Sequence, residues 1–399
     1  MNTFNKLFEL ETDYWALDEN KAKHEIAFII SDQHFIATGG IGQYAYAFYK
    51  MCFDKRIRVH FILDKRPTKR FFVDLFDKAL FHYPDEPIPY TLHSDTYVHI
   101  DTMNMYKQAN FHTAIQKAEK WLSDNDKSFD MYICNTSESI VPAYSAGCWP
   151  LVIYTHLYKH IHIDADNGKF SNNFHNLVEH LSKLPDVYVA TQSNHNKQIL
   201  EQRCDKVQVL PIPITEKKFL KKYNRDNVRG VLFVGRYEKG KRPDKFLQLC
   251  KKANLPVKIL TSQKSSKKFI KKCIELGLEH DVKHDLVGQE KVDFMLSSAF
   301  LLNVSKNESF SMTTLECIGH MPVVTLDDQP WTEHFDKKYL TVCNKDNIVW
   351  TMKQYHERQW TLDFLPKTWY QNGSLKYVVA HQNQAYDSFD LLLESILLT

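Results

Sequence analysis

Residues 231–253 read VLFVGRYEKGKRPDKFLQLCKKA. Four apolar residues, Val231 to Val234, are stopped by Gly235; the cations Arg236, Lys239, Lys241 and Arg242 follow, and Pro243-Asp244 opens a stretch with helical apolar spacing. A short buried strand running at once into an amphipathic helix is the unit from which doubly wound α/β sheets are built. A glycine and cations at that junction offer a guanidinium fork, an ammonium and helix amides to a phosphate, with a diphosphate as the natural ligand. The same cations also suit a plain solvated rim, since basic turns are common on protein surfaces.

The alternation continues in both directions. Before this stretch, strand patterns cover Glu25 to Ile30, Arg58 to Leu63, Met131 to Cys134, Leu151 to Thr155 and Val187 to Ala190, with helical patterns over Gln43 to Asp54 and Thr113 to Ser123. After it come Val257 to Leu260, Phe300 to Val304, Val323 to Leu326 and a last apolar helix from Leu375 to Leu398. The series breaks between Leu210 and Arg229, where Pro211 and Pro213 force extended backbone and a charged, weakly apolar run follows. The expected fold is therefore α/β: two Rossmann-like doubly wound domains, residues 1–212 and 213–374, facing a central cleft, with a helix over 375–399 packing back on the first. Ligands of such sheets bind at the carboxyl ends of the strands.

Composition agrees. A chain of 399 residues, 43% apolar and 25% charged, is globular and longer than one core usually fills. Its eight cysteines are scattered singly without a C-x-x-C, so buried thiols are expected rather than disulfides or a thiolate zinc site. No run approaches 18 apolar residues, and the first thirty residues carry acids where a leader needs a basic end, so the reading is cytoplasmic with no membrane segment. The net charge of +3 hides an asymmetry: from Thr215 to Lys272 there are nineteen basic residues against four acidic, an excess of fifteen that leaves the remainder at −12. That segment reads as a lysine-rich solvated surface, as attraction for donor phosphates, or as a site for a polyanion.

A second stretch, Asn307 to Val324 (NESFSMTTLECIGHMPVV), follows the strand pattern FLLNVS and carries a short helix that Gly319 and Pro322 would close. Glu308 and Glu316 stand slightly over two helical turns apart, so one reaches a ligand at the helix entrance while the other faces the same side deeper in. Carboxylates accept sugar hydroxyls. A capping carboxylate plus a surface one accounts for the same spacing.

Together the two stretches resemble the retaining, nucleotide-sugar-dependent glycosyltransferases of the GT-B type, in the glycogen and sucrose synthase-like group that carries a Glu-x7-Glu motif. Gly235-Arg236, then Lys241 followed by Arg242-Pro243-Asp244, matches its G-R-x4-K-R-P-D run; Glu308 to Val324 matches its second motif. The resemblance implies that Arg236 and Lys241 hold the donor diphosphate without a metal, Glu308 contacts the donor sugar, and Glu316 binds the ribose. It further implies that Gly235 and the backbone amides of Phe310, Ser311 and Met312 face sugar and phosphates. It reaches the first domain more weakly: Thr38-Gly39-Gly40-Ile41-Gly42 is similar to a donor-approaching glycine loop, which implicates Gly40 and Gly42, and His156 is similar in place to a histidine near the reacting sugar. Thr261-Ser262-Gln263-Lys264 stands where the family has a glycine turn, and Glu308-Ser309-Phe310-Ser311 replaces its usual glycine-bearing run. Base and sugar stay open. A UDP-linked donor is implied, and no other cofactor.

For the acceptor, the Lys, Phe and Tyr richness and scarcity of glycine resemble proteins of large lytic bacteriophages, whose glycosyltransferases modify 5-hydroxymethylcytosine. That likeness implies double-stranded DNA as acceptor in the host cytoplasm; a bacterial surface polysaccharide or lipid-linked sugar is the alternative. Two other classes compete with these. Gly40-Ile41-Gly42-Gln43-Tyr44-Ala45 fits the G-x-G-x-x-A of an NAD-dependent oxidoreductase, with Asp64 further on as the ribose acid, but eight residues separate Ile30 from Gly39 where the fingerprint needs none. A non-catalytic DNA-binding protein would need only the basic segment. His156, His160 and His162 read as ordinary polar residues, Asp327-Asp328 as a turn, and Trp331, Trp350, Trp360 and Trp369 as core or interdomain packing.

Overall fold

The structure is a computed structural model that describes residues 22–31, 40–66, 79–87, 98–156, 171–214, 216–221, 228–306, 308, 310–357 and 374–398. Two all-parallel sheets organise it. The first contains β1 (His24–Ile29), β2 (Ile57–Ile62), β3 (Leu80–His82), β4 (Met131–Cys134), β5 (Leu151–Thr155), β6 (Val187–Thr191) and β7 (Val207–Val209), in the order β3-β2-β1-β4-β5-β6-β7. The second contains β8 (Val231–Val234), β9 (Val257–Thr261), β10 (His280–His284), β11 (Phe300–Asn303), β12 (Val323–Leu326) and β13 (Thr341–Cys343), in the order β10-β9-β8-β11-β12-β13. Both are doubly wound sheets that change direction once, between β1 and β4 and between β8 and β11. Those two switch points are where such sheets open a crevice.

The helices are α1 (Gly40–Asp54), α2 (Val98–Ser123), α3 (Ser137–Ser145), α4 (Ser171–Ser182), α5 (Asn194–Leu200), α6 (Pro243–Ala253), α7 (Gln263–Leu276), α8 (Gly288–Leu296), α9 (Met312–Ile318), α10 (Ile348–Glu357) and α11 (Ser374–Leu397). Central strands are buried at nearly every position because helices cover both faces: β4, β5 and β11 are buried throughout, and β1 at all but His24. One buried cluster runs through the whole molecule, from Phe28, Tyr44 and Phe48 to Leu301, Leu315 and Trp331. Two further clusters cover the opposite faces of the two sheets.

The long helix α11 bridges the halves. Phe389 sits edge-on to Phe48 with ring centres 5.3 Å apart, Tyr386 donates to Asp54 at 2.8 Å and Lys55 pairs with Asp390 at 2.6 Å, all on α1 or its end. At its other end, Val378 and Leu375 lie so close to Gly319 that a Cβ there would come within 3.1 Å of Val378. Close approach, not backbone freedom, is what requires that glycine.

Several details depart from the sequence reading. α1 starts at Gly40, so Gly40 and Gly42 occupy its first turn rather than a loop; Thr38 and Gly39 lie outside the described residues. α2 begins at Val98 rather than near Thr113. The strands β3, β7, β10 and β13 have no counterpart in the sequence pattern, and they are the four edge strands of the two sheets. Trp331 is fully buried and donates to the Ser305 carbonyl at 3.0 Å, whereas Trp350 is 60% exposed. His160, His162, Trp360 and Trp369 lie outside the described residues. All eight cysteines are buried free thiols. Among the described residues no helix is long and apolar enough to cross a membrane.

Candidate active site

The carboxyl ends of β8 and β11 bring the two sequence stretches together. β8 ends at Val234, and Gly235 follows with φ +154°, a backbone region that side chains rarely adopt. The aliphatic stem of Lys241 lies against it: a Cβ on Gly235 would meet Lys241 Cδ at 3.4 Å. A short 3₁₀ turn, Lys239–Lys241, then delivers the chain to Arg242, which takes the left-handed conformation with φ 51° immediately before Pro243 opens α6. The Gly240 carbonyl accepts from the Lys306 amide at 2.9 Å, tying this turn to the segment after β11.

On the β11 side, Asn303 is the organising residue. Its Nδ2 donates to Ser311 Oγ at 2.9 Å and Thr314 Oγ1 at 3.2 Å, while its Oδ1 accepts from the Ser305 amide at 3.1 Å. Ser311 Oγ caps α9 by accepting from the Thr314 amide at 3.3 Å. A small cavity between the two strand ends is walled by Val234, Leu302, Asn303, Glu308, Ser311 and Thr313.

Lys241 Nζ and Glu308 Oε1 form a short ion pair at this cavity, their side chains 25% and 13% exposed. Lys241 and Glu308 were expected to act on different parts of the donor; the fold sets one on the other. Arg236 extends toward solvent with its side chain 53% exposed and pairs with Glu238 at 3.2 Å. Arg242 reaches across to Asp328 at 3.0 Å. Burial pulls the Asp328 carboxyl upward, yet the Arg242 hydrogen bond and charge outweigh it and hold the group below its ordinary range. Tyr237 is pushed up by burial and by its bond to Asp244, so it stays a neutral hydroxyl donor.

Glu316 sits apart from Glu308. It lies inside α9 with its side chain 3% exposed, bonded to Lys291 Nζ of α8 at 2.6 Å. The ammonium of Lys291 also stands 5.7 Å from the centre of the Phe219 ring. Phe310 is buried, its ring stacked on His381 at 5.6 Å, and His381 donates through Nε2 to the Ile212 carbonyl at 3.0 Å. Ser311 is buried as the helix cap and Met312 is half-buried at its first turn.

In the first domain, His156 follows β5 at the carboxyl edge of the sheet. Its Nε2 donates to Asn135 Oδ1 at the end of β4, its ring lies 4.8 Å from Tyr44 and 4.5 Å from Tyr154, and its carbonyl accepts from Gln192 Nε2 at 3.0 Å. Ser193 and His334 share a hydrogen bond of 2.8 Å that joins the two halves. Asp64, the acid that an NAD reading needs, is fully buried. Among the described residues no group of three His, Cys, Asp or Glu is placed to hold a metal ion.

The sequence reading missed Lys291, Asn303, Asn135 and the Arg242–Asp328 pair. Only Lys291 carried a signal: it falls on the inward face of α8 beside Val292 and Met295, an unusual place for a lysine without a partner.

At the level of sequence, no protein family and no curated protein matches the chain. Solved structures do match it in shape. Sucrose-phosphate synthase from Thermosynechococcus elongatus aligns over 94% of this chain and 99% of its own with a TM-score of 0.68 at 12% identity. The fold is that of GT-B glycosyltransferases. A glycosyltransferase from Rickettsia africae covers the same shares with a TM-score of 0.63 at 12% identity. Anabaena HepE, solved in complex with UDP and glucose, covers 92% of this chain and 99% of its own with a TM-score of 0.59 at 15% identity.

Proposed function

We propose that the protein is a retaining glycosyltransferase that moves a sugar from a UDP-linked donor to an acceptor hydroxyl. The observation that carries the reading is the Lys241–Glu308 pair beside Gly235, at the switch point of the second sheet. The bond from the anomeric carbon to the diphosphate breaks, charge builds on the departing diphosphate, and the acceptor oxygen takes its place on the same face while its proton passes to that diphosphate. Fixed cations stabilise that charge best when they are preorganised in a site shielded from water. Lys241 is held by Glu308, and Arg236 at the rim is free to swing inward from Glu238. Glu308 then positions sugar hydroxyls while keeping the ammonium aimed. Gly235, Phe310, Ser311 and Met312 are assigned to the donor side by their backbone, Gly40 and Gly42 by the first turn of α1. Glu316 is assigned to the ribose edge with Lys291 as its orienting partner, and His156 to the sugar from the first domain.

The acceptor class is read from the basic segment: DNA carrying 5-hydroxymethylcytosine, or a surface or lipid-linked glycan. Exposed isoleucines among the lysines of α7 favour the second. Incubation with a panel of nucleotide sugars and both acceptors, followed by product masses and the anomeric coupling in NMR spectra, tests the proposal. Transfer with retained configuration is expected; an inverted product removes the retaining mechanism, and no transfer from any donor removes the enzyme.

A further inference from the structure

The outward face of α7 combines two features that sugar transfer does not use. Ser266, Phe269 and Cys273 turn inward and are buried. Away from them Lys264, Lys267, Lys268 and Lys271 are exposed, and Ile270 and Ile274, at 37% and 66% exposure, stand along one edge of these lysines. At 100° per residue, Ile270, Ile274, Lys267, Lys271 and Lys264 follow one another around one side of the helix. Glu275 is the helix's sole acid, and Lys272 and Lys271 take it at 2.7 and 4.0 Å. Lys264 and Lys267 make no ion pair among the described residues. Lys251 of α6 extends the basic surface past the end of the helix, its ammonium beside Gly277, and Lys268 lies 4.2 Å over the Tyr237 ring.

We propose that this face of α7 docks on an anionic lipid membrane. The lysines sit over headgroup phosphates, and Ile270 and Ile274 enter the boundary between headgroups and acyl chains. Charge complementarity alone would suit any polyanion, and the isoleucines decide between them. Contacts to a nucleic-acid backbone call for cations and hydrogen-bond donors. A basic helix with apolar side chains on its outer face is the pattern of a surface lying in a membrane interface. α7 begins beside the candidate donor turn, where the Tyr237 amide donates to Ser265 Oγ at 3.1 Å. A docked helix therefore holds the mouth of the site against the surface, and, resting on the proposed function, the acceptor is a membrane-carried hydroxyl.

The full chain should cosediment with vesicles of phosphatidylcholine containing phosphatidylglycerol and not with phosphatidylcholine alone, with affinity falling as salt rises. Each lysine at an anionic surface contributes roughly fivefold, so K264Q/K267Q should weaken vesicle binding about thirty-fold. I274S, at an exposed position where the fold is indifferent, should weaken it several-fold and leave any binding to duplex DNA unchanged. Hydrolysis of UDP-sugar in vesicle-free solution should be the same for wild type and both variants, so a failure of docking and a failure of the enzymatic reading are told apart. Absence of wild-type binding to anionic vesicles overturns the proposal. So does I274S binding vesicles as wild type does, or duplex DNA bound in a K264Q/K267Q-sensitive way with vesicles ignored.

Discussion

Replacing Lys241 by alanine tests the centre of the candidate site, because it does two separable things. It removes a preorganised cation from the departing diphosphate. Loss of one such stabilising donor raises the barrier by about 2.7–4 kcal/mol, so turnover should fall roughly a hundred- to a thousand-fold. It also leaves the Glu308 carboxylate, whose side chain is only 13% exposed, without its counter-charge. A fully buried pair broken on one side costs about 3–5 kcal/mol; partial exposure of both partners scales this to about 1–2 kcal/mol, read as a modest drop in melting temperature. Glu308→Gln keeps the cation and removes the holder, so it should lower turnover less. If the pair works as a unit, the double variant should lose less than the sum of the single losses by at least a factor of about five. Single-turnover measurements with UDP-sugar, alongside thermal melts, separate the two effects. Turnover of Lys241→Ala within threefold of wild type would take Lys241 out of the chemistry, and strictly additive losses would dissolve the pair as a functional unit.

Three further outcomes follow. Lys291→Met takes the paired ammonium from the buried Glu316 carboxylate and should destabilise the protein by about 3 kcal/mol, most of it recovered in the K291M/E316Q double variant; urea unfolding of the two variants measures this, and a K291M curve overlying wild type contradicts the pairing. Asn135→Ala removes the acceptor that orients the His156 ring and should cost roughly fivefold in kcat/KM together with a modest drop in melting temperature, about 1–3 kcal/mol of stability; kinetics equal to wild type would remove Asn135 as a positioning residue. Stability should decline in mild acid. Burial lowers His82 to about 3 from an ordinary 6.5, so the unfolded chain takes up the proton first and stability is lost as pH falls below 6.5. The loss reaches about 1.4 kcal/mol at pH 5.5 from this residue alone, and His82→Gln should flatten the denaturation midpoint between neutral pH and 5.5 by that amount.

The inner strands were legible in the sequence because burial on both faces leaves a run of β-branched and aromatic residues with no alternative reading, as in Leu151 to Thr155. The edges were not. β10 reads HDVKH and is half exposed along its length, so neither hydrophobicity nor alternation marks it. The first turns of α2, VHIDTMNMYKQA from Val98 to Ala109, mix apolar and polar residues without a clean helical period, so the pattern does not announce the helix. At the site, the glycine, the cations and the glutamates were legible as residue types. Their pairing was not: Lys241 and Glu308 are 67 positions apart and Lys291 and Glu316 are 25 apart, and only the winding of the sheet brings them together. The buried chain Glu25–His60–His82, bonded at 2.8 and 3.0 Å, was not legible either, since its members stand on three different strands that only the sheet order β3-β2-β1 sets side by side.

The reach of α11 across both halves has a consequence for cooperativity. Its Phe389 and Tyr386 belong to the packing of α1, while its Val378 and Leu375 belong to that of α9. Neither half can lose its own structure without uncovering part of the helix that the other half uses. Heating should therefore melt the two halves in one transition, and clipping the chain ahead of Ser374 should split the endotherm into two.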